Sequence, residues 1–163
     1  MRKRAVPPDD NSGSMTAFTK KYTDLDRAID EVRSLSDEWP AARQNGSLDD
    51  ETIHCVCLVL HEWIANLHQH AQFDASPPTV EIQLSSQDRH VSCSVVDNSE
   101  GFELEAHLPG EDDDLESFPE RGMGLRIIKS CTDDFSYMPT EDGLHCFEFI
   151  IPPDHDPWLN TLF

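Results

Sequence analysis

Residues 47–71 read SLDDETIHCVCLVLHEWIANLHQHA. Ile53, Val56, Leu60, Ile64, Leu67 and Ala71 recur every three or four positions, the spacing that lines one face of an α-helix. Ser47-Leu48-Asp49-Asp50 ahead of them reads as a capping box with Ser47 as N-cap. Glu62, Asn66 and His70 fall at i, i+4 and i+8, on a second stripe beside the apolar one. A carboxylate and an amide one helical turn apart can activate a hydroxyl or water and hold a hard cation such as Mg²⁺. The same stripe would also serve as an ordinary solvated polar face.

Outward from this helix the pattern alternates. Upstream, Thr16 to Tyr22 suits a short strand, and Asp24 can cap a helix with Leu25, Ala28, Ile29, Val32 and Leu35 at helical spacing. Trp39-Pro40 to Gly46 reads as a loop. Downstream, Pro77-Pro78 ends helical structure. Residues 79–84 and 90–96 then alternate as two strands of a hairpin. An acidic connection over 98–120 precedes a helix through Leu125, Ile127 and Ile128, and its residues about 102–120 have the length of a functional lid. A closing hairpin follows, 134–138 and 144–151 around Glu141-Asp142-Gly143. The order predicts an α+β fold, a two-layer sandwich with helices on one face of a mostly antiparallel, mixed sheet. The domain is expected over 15–152, with a mobile segment at 1–14 and a polar tail at 153–163.

The 163 residues make one domain's worth of chain. Twelve Lys and Arg against 32 Asp and Glu leave a net charge of −20, a field that repels phosphate backbones and anionic lipid. Neither nucleic acid nor a membrane is therefore an expected partner. No apolar run approaches the roughly 20 residues that span a bilayer, and Pro7-Pro8-Asp9-Asp10 stands where a signal peptide needs its apolar stretch. The expected location is the cytoplasm. Five cysteines without a CxxC pair, mostly inside apolar stretches, suit reduced core thiols.

Two further segments carry chemistry. Asp97-Asn98-Ser99-Glu100-Gly101-Phe102 follows an apolar strand. An otherwise isolated carboxylate there can accept from an exocyclic amine, while Gly101 lets a planar base approach the backbone. Arg121-Gly122-Met123-Gly124-Leu125 opens a helix, where free N–H groups and the helix dipole favour anions. Each segment alone is also an ordinary turn or hinge.

In order, ExxxN on a helix, DxxxG after a strand and GxGL opening a helix resemble the N, G1 and G2 boxes of the GHKL superfamily. That superfamily of ATP-binding domains is shared by histidine kinases, gyrase, heat-shock chaperones and mismatch-repair proteins. Within it the chain resembles the anti-sigma-factor serine kinases of bacterial partner-switching systems, from about Thr16 to Pro152. The resemblance implies a Bergerat-type fold with ATP and Mg²⁺ as cofactors. Asn66 would coordinate the metal, with His70 beside it in the nucleotide site. Glu62 would be the general base for an acceptor hydroxyl. Asp97 would read the adenine amino group, with Gly101 close to the base. Gly122, Met123 and Gly124 would cradle phosphates, and Arg121 would reach the γ-phosphate. The implied partners are a STAS-type anti-sigma-factor antagonist, a sigma factor or similar regulator, and a second copy in a homodimer.

The sequence departs from the family pattern in three places. Ser99 replaces the first glycine of the G1 box, and His145 stands near a threonine that often contacts the base. The expected lid region adds nine carboxylates between Glu100 and Glu120 with no Lys or Arg, which opposes a triphosphate unless Mg²⁺ offsets it. Other readings were open at this point. His61-Glu62 invites a zinc-protease motif, but Ala65 takes the second ligand's place; His54, His61 and His68 share one face and suit ordinary packing. A histidine-kinase-like catalytic fragment and a nucleotide-gated binding module without kinase activity remain alternatives.

Overall fold

The computed structural model describes residues 15–34, 50–73, 77–87, 90–104 and 123–152. The expected capping box at Ser47, nearly all of the lid, Arg121, Gly122 and both terminal segments lie outside them. Strand β1 (Met15–Tyr22) leads into helix α1 (Leu25–Arg33) and then the long helix α2 (Asp50–His70). Strands β2 (Val80–Gln87) and β3 (His90–Asp97) form a hairpin. Helix α3 (Met123–Cys131) precedes a second hairpin of β4 (Asp134–Pro139) and β5 (His145–Ile151).

The five strands lie in the order β1-β2-β3-β5-β4, and all four pairings are antiparallel. The parallel pairing that a mixed sheet would contain is therefore absent among the described residues. Both hairpins join neighbouring strands directly, while the connection through α3 lets β5 pair with β3 and pushes β4 to the edge. Register then aligns one end of the sheet: Tyr22 opposes Val80, Val80 opposes Asp97, and Asp97 opposes His145. That row carries the chemistry.

Local rules account for the helices. Asp24 caps α1, accepting from the backbone N–H of Asp26 at 2.9 Å and of Arg27 at 3.4 Å. In α2 the apolar stripe of Ile53, Val56, Leu60, Ile64 and Leu67 is fully buried, joined by Thr52, Cys55, Val59 and Trp63. The buried face is wider than a single stripe because α2 is covered on several sides: by the sheet, by α1 and by α3. Ile82, Leu84, Val91, Val95, Phe147, Phe149 and Ile151 supply the sheet's half of the core. Trp63 of α2 stacks on Phe147 of β5, centroids 3.9 Å apart, locking helix to sheet. None of the five cysteines forms a disulfide, and Cys55, Cys93 and Cys131 are buried.

Helix α3 begins one residue before Gly124, so this glycine sits in the first helical turn rather than in the loop ahead of it. No described helix is long and apolar enough to cross a membrane.

Candidate functional site

Helix α2 presents Glu62 and Asn66 to the start of α3. A Cβ built on Gly124 would stand 2.7 Å from Glu62 Oε2 and 3.8 Å from Asn66 Nδ2. Only a glycine lets the first turn of α3 come this close to the carboxylate. Two segments about 60 residues apart in sequence thus meet at one point. Glu62 keeps 24% of its side chain exposed, so its carboxylate is open to a reactant. His61 flanks it, with Nδ1 3.7 Å from Glu62 Oε1 and Nε2 3.3 Å from the Arg33 guanidinium. Arg33 can only donate, so Nε2 accepts and the ring proton sits on Nδ1, facing Glu62. Asn66 Nδ2 is buried and has no hydrogen-bond partner among the described residues. His70 ends α2 on an exposed turn.

The second half of the site closes around Asp97, 1% exposed at the end of β3. Its carboxylate is not isolated. Oδ1 accepts from the Ser99 backbone N–H at 2.9 Å and from the Ser99 hydroxyl, and Oδ2 accepts from the Tyr137 hydroxyl at 3.0 Å. Three donors offset the cost of burying the charge. Ser99, which departs from the family's glycine, is therefore the residue that orients the carboxylate, and its Oγ also accepts from Gly101 N at 3.1 Å. The Tyr137 phenol is pushed well above its ordinary range, first by burial, then by the neighbouring Asp97 charge; the Ser99 hydroxyl, 3.5 Å away, opposes the rise.

Gly101 has φ of 75°, a left-handed conformation that glycine adopts without strain. The His145 ring lies across it: a Cβ there would be 2.3 Å from Nε2. His145 Nδ1 also lies 3.2 Å from the Ser99 carbonyl, so the ring proton sits on Nδ1 and donates to it. The loop is stapled further by Asn98, whose Oδ1 accepts from Thr79 N at 2.7 Å and whose Nδ2 donates to the Pro77 carbonyl at 3.0 Å. Glu100 N donates to the Gln72 carbonyl at 2.9 Å.

An aromatic group joins the two halves. Trp63 lies 5.5 Å from Phe102 and edge-on to Tyr137 at 4.9 Å, and Phe102 lies 5.1 Å from Tyr137. Sequence reading passed over both Trp63 and Tyr137. Trp63 sits inside the ExxxN segment but looks like any core residue. Tyr137 shows only as one inward position of an alternating strand.

Of the other histidines of α2, His68 Nε2 is 3.4 Å from Asp26 on α1, away from Glu62. No three His, Cys, Asp or Glu side chains among the described residues converge as a metal cluster. A groove of about 410 Å³ on the sheet, lined by Gln83, Ser92, Ser94, Ser136 and Glu148 among others, contains none of the residues of this site.

Comparison with known proteins places the chain. No curated protein is significantly similar in sequence. Among solved structures, the histidine kinase domain of the Erythrobacter litoralis EL346 blue-light activated histidine kinase is 16% identical over 84% of this chain and 63% of that chain, with TM-score 0.47. The nucleotide-free catalytic domain of histidine kinase ThkA is 19% identical over 83% of this chain and 97% of that chain, with TM-score 0.44. This chain thus spans a little under two thirds of the Erythrobacter domain. Residues 23–146 match the model of the histidine kinase-like ATPase domain, a stretch that includes Glu62, Asn66, Asp97, Gly101 and Gly124. The chain belongs to the histidine kinase-like ATPase domain family.

Proposed function

We propose that this chain is an ATP-dependent serine/threonine protein kinase of the anti-sigma-factor, partner-switching type. It phosphorylates a STAS-type antagonist and sequesters a sigma factor or a similar regulator, working as a cytoplasmic homodimer. The observation that carries this reading is the contact of Gly124 with Glu62 and Asn66, which sets a carboxylate and an amide against the first turn of a helix. A helix start offers unpaired N–H groups to phosphate oxygens. Beside it, Glu62 is partly exposed and has the chemistry to take the proton from an incoming serine hydroxyl.

Asn66 fits a cation ligand. Its Nδ2 makes no hydrogen bond among the described residues, so turning the amide to present its oxygen costs no donor bond. Bound Mg²⁺ would supply charge neutralisation between the phosphates and the nearby carboxylates. Asp97 would accept the exocyclic amino group of adenine through the lone pair of Oδ2 that Tyr137 leaves unused. Gly101 and His145 would border the same base. Arg121 and Gly122 are assigned to the phosphates on their sequence pattern alone, together with Met123; His70 is assigned to the nucleotide site on the same ground.

Phosphotransfer to histidine is the second reading, favoured by the family to which the chain belongs. The two acceptors differ in what they ask of Glu62. A serine hydroxyl must lose a proton as it attacks, whereas a neutral imidazole nitrogen already offers a lone pair. The test is incubation of wild type and Glu62→Gln with the antagonist and labelled ATP. Acid-stable label on the antagonist, reduced about 100-fold or more in Glu62→Gln, is the expected result. Acid-labile label would favour the histidine reading. Nucleotide binding without any transfer to the physiological partner would make the chain a nucleotide-gated binding module.

A further inference from the structure

Trp63 is fully buried, and its indole Nε1 has no hydrogen-bond partner among the described residues. Leaving a buried N–H unpaired costs about 1–3 kcal/mol, and folded interiors hold few such groups. A phenylalanine would make the same stack on Phe147 without that cost, so the packing role does not explain the indole. The position of the ring does. Trp63 follows Glu62, precedes Asn66 by one helical turn, and borders both Phe102 and Tyr137. Tyr137 in turn holds Asp97 Oδ2 at 3.0 Å. The residue that carries the unpaired donor and the carboxylate with one lone pair to spare therefore both adjoin Tyr137.

We propose that Trp63 is a base-reading residue, whose indole N–H donates to a ring nitrogen of adenine adjacent to the amino group accepted by Asp97. The assignment rests on the ATP-binding reading of the site and names what selects the base. Asp97 offers an acceptor and Trp63 a donor. Adenine presents the complementary order, an amino donor with an acceptor ring nitrogen on either side. On its pairing edge guanine presents the reverse, a carbonyl acceptor beside an N–H donor. It would set its carbonyl against the Asp97 carboxylate and its N–H against the indole N–H. Discrimination by buried polar groups left unpaired is the strong kind. Phe102 and Tyr137 supply the aromatic faces beside the base, and Tyr137 shares Asp97 with it.

The experiment is calorimetric titration of the full chain, in Mg²⁺, with ATP, GTP, 1-deaza-ATP and 7-deaza-ATP. Each deaza analogue replaces one ring nitrogen beside the amino group by C–H. Wild type is expected to bind one of the two about tenfold more weakly than ATP, the loss of one buried hydrogen bond. Trp63→Phe is expected to lose about the same factor for ATP and to bind that analogue as well as it binds ATP. If the 1-deaza analogue is the affected one, the variant's preference for ATP over GTP should narrow in step, because only on the pairing edge does guanine turn an N–H towards the indole. If wild type binds ATP and both analogues equally, the assignment of Trp63 is overturned while ATP binding stands. If wild type binds none of the nucleotides, both readings fall. Should Trp63→Phe not fold, the comparison of analogues on wild type decides alone.

Discussion

Tyr137 on β4 donates its phenolic hydrogen to Asp97 Oδ2 on β3 across the intervening strand β5, at 3.0 Å. The bond ties the sheet's edge strand to the carboxylate at its functional end. Replacing Tyr137 by Phe leaves one oxygen of a nearly fully buried carboxylate with one donor fewer. The expected loss is about 1.5–3 kcal/mol of unfolding free energy, read from the urea midpoint.

The same phenol gives a pH prediction. Its folded pKa lies above the ordinary value of 10.0, mainly through burial. A neutral form favoured by folding contributes stability that is complete below the unfolded pKa and declines as pH rises beyond about 10. Absorbance titration of the two tyrosines should show Tyr137 still protonated after ordinary tyrosine has ionised, until the protein unfolds. A phenol that titrates normally while the fold persists would show that the burial is wrong.

Asp97→Asn tests the other partner of that bond. The Asn oxygen can keep the Ser99 N–H and hydroxyl, and its amide nitrogen can donate to a turned Tyr137 hydroxyl. The fold should therefore survive with a loss of about 1–3 kcal/mol. An amide nitrogen facing the exocyclic amine repels it, so ATP affinity should fall about tenfold or more by calorimetry. Unchanged affinity in the folded variant would place the base elsewhere.

Asn66→Ala separates binding from stability. Its Nδ2 has no bond to lose among the described residues, and alanine is the better helix former. The melting temperature should hold or rise. ATP affinity should drop, and the difference between titrations with and without Mg²⁺ should shrink towards none. Equal Mg²⁺ dependence in both proteins would remove Asn66 from the metal.

Gly124→Ala probes the approach of α3 to α2. The new methyl would lie 2.7 Å from Glu62 Oε2, the tip of a flexible and partly exposed side chain that can swing away. Helix propensity rises by up to about 1 kcal/mol, so stability should be little changed. Phosphotransfer should fall about tenfold or more as Glu62 leaves its place. Wild-type transfer rates in this variant would show that the Glu62 position is not what matters.

Much of this architecture was legible in the amino-acid order because it is written in local periods. The spacing from Ile53 to Leu67 identified α2, alternation identified both hairpins, and Asp24 marked the start of α1. The convergence of Glu62, Asn66 and Gly124 was legible only through family resemblance, since no local period links α2 to α3. Pairings across the sheet were not legible. The Asp97–Tyr137 bond joins residues 40 apart, and no periodicity encodes which hydroxyl meets which carboxylate. Ser99 was misleading for a related reason: read as a missing glycine, it is a donor to Asp97 that only the turn's geometry brings into reach. The mostly antiparallel sheet that the order of elements predicts is found, and because β5 inserts between β3 and β4 every pairing among the described residues is antiparallel.

Asn98 grips Pro77 and Thr79 with both ends of its amide, and Glu100 holds Gln72. The turn bearing Asp97 is thereby fastened on both sides of the connection from α2 to β2. Its conformational freedom is surrendered when the chain folds, not when a ligand arrives. A base entering beside Asp97 meets a rigid template, so little of its binding free energy is spent on ordering backbone. Cutting these tethers by Asn98→Ala would transfer that entropic cost from folding to binding, making capture of the base slower and more temperature-sensitive even though Asn98 is not among the residues assigned to the nucleotide.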